Sequence, residues 1–247
     1  MPHANRRILR LTGSDSRDFL QGLITNDVAG VDHGLVYAAM LTPQGKYIAD
    51  FFLRAVADAI LLDADADQAA ALKQRLMMYK LRADVAIDDT DQHLHRGTDA
   101  PPADALPDPR HPALGWRAYR DTPQTDDTTD WAALYVAHQI PQSGVELTGD
   151  SFILEMGFER LHGVDFRKGC YVGQEVTARM KHKTELRKGL AQVTLEGDAD
   201  TGTPITTDGK PVGTLLTRAG DHALAYLRFD RATGTMDAEG TAVTRTV

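Results

Sequence analysis

An α+β fold with a small carboxy-terminal β-barrel is predicted for this chain by three observations. Strand-like and helix-like runs are interleaved before residue 185, where a hairpin pattern over residues 35–53 precedes an alanine- and leucine-rich helical pattern over residues 67–79. Residues 89–112 interrupt that order with five prolines and almost no large apolar side chains. After Glu185 the pattern turns to short strands separated by Gly197-Asp198, Asp208-Gly209 and Ala219-Gly220-Asp221, a spacing that suits a small barrel. The expected domains are residues 1–185, a body of two intertwined α+β subdomains, and residues 186–247, the barrel.

Ile8-Leu9-Arg10-Leu11 reads as the first strand. Ser14 or Asp15 can cap a helix in which Phe19, Leu20, Leu23 and Ile24 recur at helical spacing and which ends at Thr25-Asn26-Asp27. Residues 35–41 and 46–53 are strands joined by Thr42-Pro43-Gln44-Gly45, whose second-position proline and fourth-position glycine suit a type I turn. The helix over residues 67–79 leads to a short strand at 83–87, which closes a βαβ-like unit. Residues 89–112 are expected to be an irregular surface connection. Structure resumes at 114–120, a helix follows at 129–138 and stops before Pro141, and an apolar run at 152–161 leads into the cysteine segment. The barrel strands are expected at 190–195, 212–217, 223–228 and 242–245.

Apolar residues at 42% and charged residues at 25% describe a soluble globular chain, and no apolar run approaches the ~18 residues of a membrane span. The first residues run straight into a strand pattern without a signal h-region, so a cytoplasmic location without a membrane partner is the expectation. A net charge of −8 excludes a nucleic-acid-binding surface spread over the whole protein. Locally the balance reverses: Arg167, Lys168, Arg179, Lys181, Lys183, Arg187 and Lys188 face only Glu175 and Glu185 between residues 167 and 188. That run is either a solvated helix face or an anion-facing patch receptive to an acidic partner or RNA.

The only cysteine, Cys170, lies in Arg167-Lys168-Gly169-Cys170-Tyr171-Val172-Gly173-Gln174-Glu175, between basic side chains and an apparent helix start. Cationic neighbours and a helix amino terminus both favour a thiolate, and the two glycines suit a tight path that exposes the thiol; the alternative is a buried, inert cysteine. A single cysteine excludes an internal disulfide and a self-contained four-cysteine cluster. Two acids stand alone in apolar runs: Asp50 in Tyr47-Ile48-Ala49-Asp50-Phe51-Phe52-Leu53 and Glu155 in Phe152-Ile153-Leu154-Glu155-Met156. Each is either a satisfied core carboxylate, paired with a residue such as Arg54, Arg160 or Arg167, or a group that grips the paired N–H donors of a heterocycle.

Lys168-Gly169-Cys170-Tyr171-Val172-Gly173-Gln174-Glu175 resembles the K-G-C-Y-x-G-Q-E signature of the YgfZ-type folate-binding proteins, relatives of the glycine-cleavage T-protein, an aminomethyltransferase. The helix and turn from Phe19 to Val28, the stretch Gly45-Lys46-Tyr47-Ile48-Ala49-Asp50 and Leu154-Glu155-Met156-Gly157 are similar to further parts of that family, as are residues 202–228 to its carboxy-terminal barrel.

The resemblance implies a T-protein-like fold of mixed sheets and helices around a central opening that admits tetrahydrofolate or a derivative. It implies Asp50 near the folate nitrogens, Glu155 on the pterin, Lys168, Tyr171 and Gln174 among the cofactor-binding residues, and Cys170 and Asp50 as the catalytic pair. No resident metal is implied beyond transient ligation of an iron–sulfur cluster by Cys170. Ala49 replaces one aspartate of the T-protein pair, and Cys170 stands where T-proteins use no thiol. The resemblance to the YgfZ-type group implies instead a role in assembly or repair of iron–sulfur clusters, mainly [4Fe-4S], with assembly proteins or client enzymes as partners. A folate-dependent one-carbon transferase is the alternative, and a tRNA-modification factor is a weaker one.

Overall fold

The computed structural model describes residues 5–182 and 185–246, so Lys183 of the basic run lies outside the described residues. Two compact units result, Met1–Thr129 with Glu159–Val176, and Asp130–Phe158 with Thr177–Val247.

In the first unit, β1 (Arg6–Thr12), β2 (Val36–Leu41), β3 (Tyr47–Val56), β4 (Ala59–Asp65) and β5 (Ala86–Asp89) form a sheet in the order β2-β3-β4-β1-β5, every neighbouring pair antiparallel. β4 and β5 both oppose β1, so they run parallel to each other. Helix α2 (Ala66–Lys80) connects them, and the βαβ unit is a split one with β1 inserted. Strand period 2 sorts the side chains. Leu9, Leu11, Ala38, Met40, Phe51, Leu53 and Leu62 point to one core, shared with Leu20 of α1 (Ser16–Gln21) and Ala69, Leu72 and Leu76 of α2. Tyr37, Asp50, Phe52 and Asp63 belong to the opposite set, placed there by the register Tyr37↔Phe52↔Asp63. Both sets are buried, as the two-faced apolar pattern of β3 predicts.

The stretch expected to be irregular contains β6 (His93–Gly97) and β7 (Leu106–Pro107), which flank β8 (Trp116–Arg120) in the order β6-β8-β7. Apolar periodicity does not reveal β6, because His95 and Arg96 are buried with polar partners. His95 Nε2 lies 2.6 Å from the Thr122 carbonyl, and Arg96 pairs with Asp127 at 3.3 Å.

In the second unit, β9 (Lys188–Glu196), β10 (Pro204–Thr207), β11 (Lys210–Ala219), β12 (His222–Arg228), β13 (Thr235–Ala238) and β14 (Thr241–Arg245) close a barrel in the order β10-β11-β12-β9-β14-β13. The Thr206↔Asp237 pairing joins β10 to β13, and Val193, Ile205, Leu215, Leu227 and Val243 fill the interior. The barrel begins within two residues of the expected boundary, but its unit also takes residues 130–158. The reason is α3 (Trp131–Ala137), which packs on β11 and β12.

Candidate functional site

Cys170 is exposed, in an irregular segment ahead of α4 (Gln174–His182). The segment is held by its neighbours. Lys168 is buried, and its Nζ donates to the carbonyls of Gln21, Ile24 and Asn26 at 2.8, 2.6 and 2.9 Å, while lying 5.1 Å from the centre of the Tyr171 ring. Three acceptors match the three protons of an ammonium, and together they satisfy carbonyls left open where α1 ends. Burial nonetheless brings Lys168 down to about 8. The same turn is tied to residues 162–172 at further points. Thr25 Oγ1 donates to the Gly163 carbonyl at 2.6 Å, Asn26 Nδ2 to the His162 carbonyl at 2.7 Å, Asp165 N to Thr25 O at 3.0 Å and Val172 N to Gly22 O at 3.3 Å.

Two glycines fasten the other side. Gly173 has φ +86°, and a Cβ there would sit 2.6 Å from the Thr42 carbonyl oxygen and 2.9 Å from Leu41 Cβ. Gly45, with φ +74°, lies against the same segment: its Cβ would meet Val176 Cβ at 2.7 Å. Backbone thus packs on backbone between the β2–β3 turn and the cysteine segment, a contact available only without side chains.

Two of the features expected to flank the thiol are placed differently, while Arg167 remains exposed in the same segment. The Lys168 ammonium is engaged by carbonyls, and α4 begins four residues after Cys170, beyond the first turn in which a helix amino terminus acts. Gly169 has no positive φ and an open surround, so of the two glycines only Gly173 has a conformational task. Lys168 also leaves the tally of surface cations. Thr25 and Asn26, taken from the sequence as the end of a helix, instead hold the mount.

Asp50 sits mid-strand on β3, 4% exposed. Tyr37 Oη donates to its Oδ2 at 3.0 Å and Tyr47 Oη to its Oδ1 at 2.6 Å. Tyr47 Oη is also 2.9 Å from the Gln68 side-chain oxygen position; with the hydroxyl proton on Asp50, the Gln68 amide turns its NH₂ toward the tyrosine. Burial, reinforced by the Asp50 charge, raises Tyr37 well above the ordinary tyrosine range, which keeps it a donor. These hydroxyls fix both carboxylate oxygens in one orientation.

Sequence reading missed the network beside Asp50. Asp63 bonds Arg6 at 2.7 Å, Arg117 at short range and Tyr119 at 3.0 Å, while Asp108 takes a two-pronged bond from Arg110 at 3.0 and 2.8 Å. The Arg6, Arg110 and Arg117 guanidiniums lie 5.7, 4.8 and 3.8 Å from the centre of the Phe52 ring. Burial pushes Asp63 up, but Arg6 and Arg117 outweigh it and hold the carboxyl below its usual value. A signal existed: Asp63 is a lone acid in Ile60-Leu61-Leu62-Asp63-Ala64, the pattern that singled out Asp50.

Glu155 belongs to the other unit and lies in a turn, not a strand. Tyr226 Oη on β12 donates to its Oε2 at 2.7 Å, and its carbonyl accepts from Leu190 N at 2.8 Å. Burial and this bond raise Tyr226 above its ordinary value. Oε1 has no protein hydrogen-bond partner among the described residues, so the half-buried carboxylate is oriented by one oxygen and open at the other. Tyr171 is buried beneath Lys168, and Gln174 opens α4 with its N–H on the Tyr171 carbonyl at 3.2 Å. Among the described residues no group of three or more His, Cys, Asp or Glu converges on a metal position. A cluster on Cys170 would draw its remaining ligands from another molecule.

Residues 187–247 match the family model described as the CAF17 carboxy-terminal β-barrel domain. A mitochondrial iron–sulfur cluster assembly factor, IBA57 homolog, of Mycosarcoma maydis is 35% identical over 77% of this chain and 55% of its own length. Its Neurospora crassa counterpart is 32% identical over 75% and 51%, and the Mus musculus factor 29% identical over 93% and 77%. The chain thus spans about half the length of the fungal relatives it matches. The crystal structure of aminomethyltransferase T of the glycine cleavage system from Bartonella henselae superposes with a TM-score of 0.72 over 99% of this chain and 83% of that one. At 11% identity this shows the fold, which is the T-protein fold. The expected cytoplasmic location is overturned: these relatives are named as mitochondrial proteins. The h-region criterion bears on secretion, not on organelle import.

Proposed function

We propose that this chain, a homologue of the mitochondrial iron–sulfur cluster assembly factors, serves in iron–sulfur cluster assembly through the thiol of Cys170. The observation that carries the reading is the exposed thiol on a backbone fixed by Lys168, Thr25, Asn26 and the Gly45–Gly173 contact. One thiol cannot hold a cluster, so Cys170 acts in a shared complex, handing a cluster or sulfur to an assembly protein or a client [4Fe-4S] enzyme. Cells lacking the protein are expected to lose [4Fe-4S] enzyme activity and regain it with this chain. Undiminished activity in those cells contradicts the role.

Folate is the proposed cofactor. The acceptor set supports it: a carboxyl group with one oxygen held and the other open suits the N–H donors of a pterin, and Glu155 has that form. Asp50, oriented by two tyrosines, is a second carboxylate whose form suits such donors. Calorimetric titration with tetrahydrofolate tests this reading. Binding by wild type, weakened about tenfold or more in Glu155→Gln and Asp50→Asn, is the expected result. Equal heats in all three proteins contradict it.

A further inference from the structure

A surface helix normally turns its polar side outward, and α2 does not. Its inward residues Ala69, Leu72 and Leu76 are buried, yet the exposed residues Ala70, Ala71, Gln74, Met77 and Met78, with the C-cap Leu81, form a second, largely apolar stripe at helical spacing, with Asp67 at its amino-terminal end and Arg75 on its flank. Met77, Met78 and Leu81 are 47, 71 and 88% exposed, and they account for three of the four large apolar side chains exposed among the described residues. Leu81 adds a second observation. It ends the helix at φ 46°, ψ −105°, where a leucine costs about 1 kcal/mol or more and Gly or Asn would cost less. Folding gains nothing from a leucine held in that conformation with its side chain in water.

Charge indicates what covers the stripe. Residues 73–82 carry Lys73, Arg75, Lys80 and Arg82 and no acid, in a chain of net charge −8. Lys73 is paired with Asp89, while Arg75 and Arg82 are exposed and Lys80 is half-buried beside the apolar tip. A symmetric pairing of two copies would set these cations against themselves where the helices run parallel, and where they run antiparallel would offer Lys80 and Arg82 the alanine end of the other copy, with Asp67 as the one acid in its first turn. The stripe offers six residues, against roughly 20–30 a side in a stable complex, so the contact is transient. No Trp or Phe lies on the stripe, as an interfacial membrane helix would carry. Alanines at one end permit close approach of another helix, and methionines at the other adapt to its side chains.

We propose that the outward stripe of α2, from Ala70 to Leu81, is a docking surface for an amphipathic helix of a partner protein whose apolar stripe is flanked by carboxylates. This contact is independent of Cys170 and can fail without affecting the cluster-assembly reading. The test is fluorescence anisotropy with a labelled helical peptide bearing a leucine–alanine stripe flanked by glutamates, beside the same stripe flanked by lysines. Saturable, salt-sensitive binding of the glutamate peptide only is expected, weakened about tenfold or more by Met78→Asp with Leu81→Asp and, separately, by Lys80→Glu with Arg82→Glu. These sites are at the surface, so unchanged thermal unfolding of the variants establishes that the fold is intact. No binding of the glutamate peptide, equal binding of both peptides, or binding that survives both double variants overturns the proposal. So does binding to vesicles containing anionic phospholipid that the same substitutions abolish, which would assign the patch to a lipid surface.

Discussion

The barrel and the cysteine mount solve opposite problems. In the barrel, six strands satisfy one another's backbone and enclose Val193, Leu215, Leu227 and Val243, so its order comes from hydrogen-bond closure and apolar burial. Residues 162–173 have no ladder. Their backbone is satisfied piecemeal by Thr25, Asn26 and the Gly22 carbonyl, Lys168 and the Gly45–Gly173 contact fasten the segment to its neighbours, and the thiol remains in solvent. A closed ladder tolerates changes at its surface and resists changes in its interior. A clamped irregular segment can present a reactive side chain, but each clamp is a single point of failure.

That contrast sets an order of effects. Leu215→Ala, which opens a cavity in the barrel, is expected to cost about 4 kcal/mol and to appear as a lower global midpoint in denaturant. Gly173→Ala forces a side chain onto the Thr42 carbonyl at positive φ and is expected to cost about 3 kcal/mol. Lys168→Met leaves three carbonyls without their donor but removes a buried charge, for a net loss of about 2 kcal/mol. For the last two, hydrogen exchange should separate local from global loss: the Asp165 and Val172 amides should exchange faster while barrel amides stay protected. Equal acceleration in the barrel would erase the distinction.

The smallest effect is a pH dependence. Lys168 titrates near 8 in the folded chain and at 10.5 as a free side chain. Between those values the unfolded chain binds the extra proton, so the unfolding free energy of wild type should rise with pH relative to Lys168→Met. Below 8 both states are protonated and the difference should be flat. A difference that stays flat to about 10.5 and falls above it would show that the carbonyl cage favours the ammonium more than burial disfavours it.

The same contrast explains what was legible in the sequence. Hairpins, α2 and the barrel could be read because period and turn chemistry repeat along the chain. β6 could not, since His95 and Arg96 are buried by partners that only the fold brings near. The lone-acid pattern marked Asp50 and Glu155 and applied equally to Asp63, which lies in a closed arginine network; sequence cannot tell a carboxylate open to a ligand from one already paired. The signature around Cys170 located the thiol, while the reason for its lysine lay some 140 residues upstream in the carbonyls after α1.

The claim that an exposed thiol does the work while the rest of its segment holds it in place is tested most directly by one comparison. Activity of [4Fe-4S] enzymes is measured in cells lacking the protein and supplied with wild type or Cys170→Ala, beside the thermal midpoint and tetrahydrofolate binding of each purified protein. Lost activity with unchanged midpoint and unchanged folate binding is expected, since Cys170 is exposed and supports none of the clamps described. Full restoration of activity by Cys170→Ala would contradict the claim.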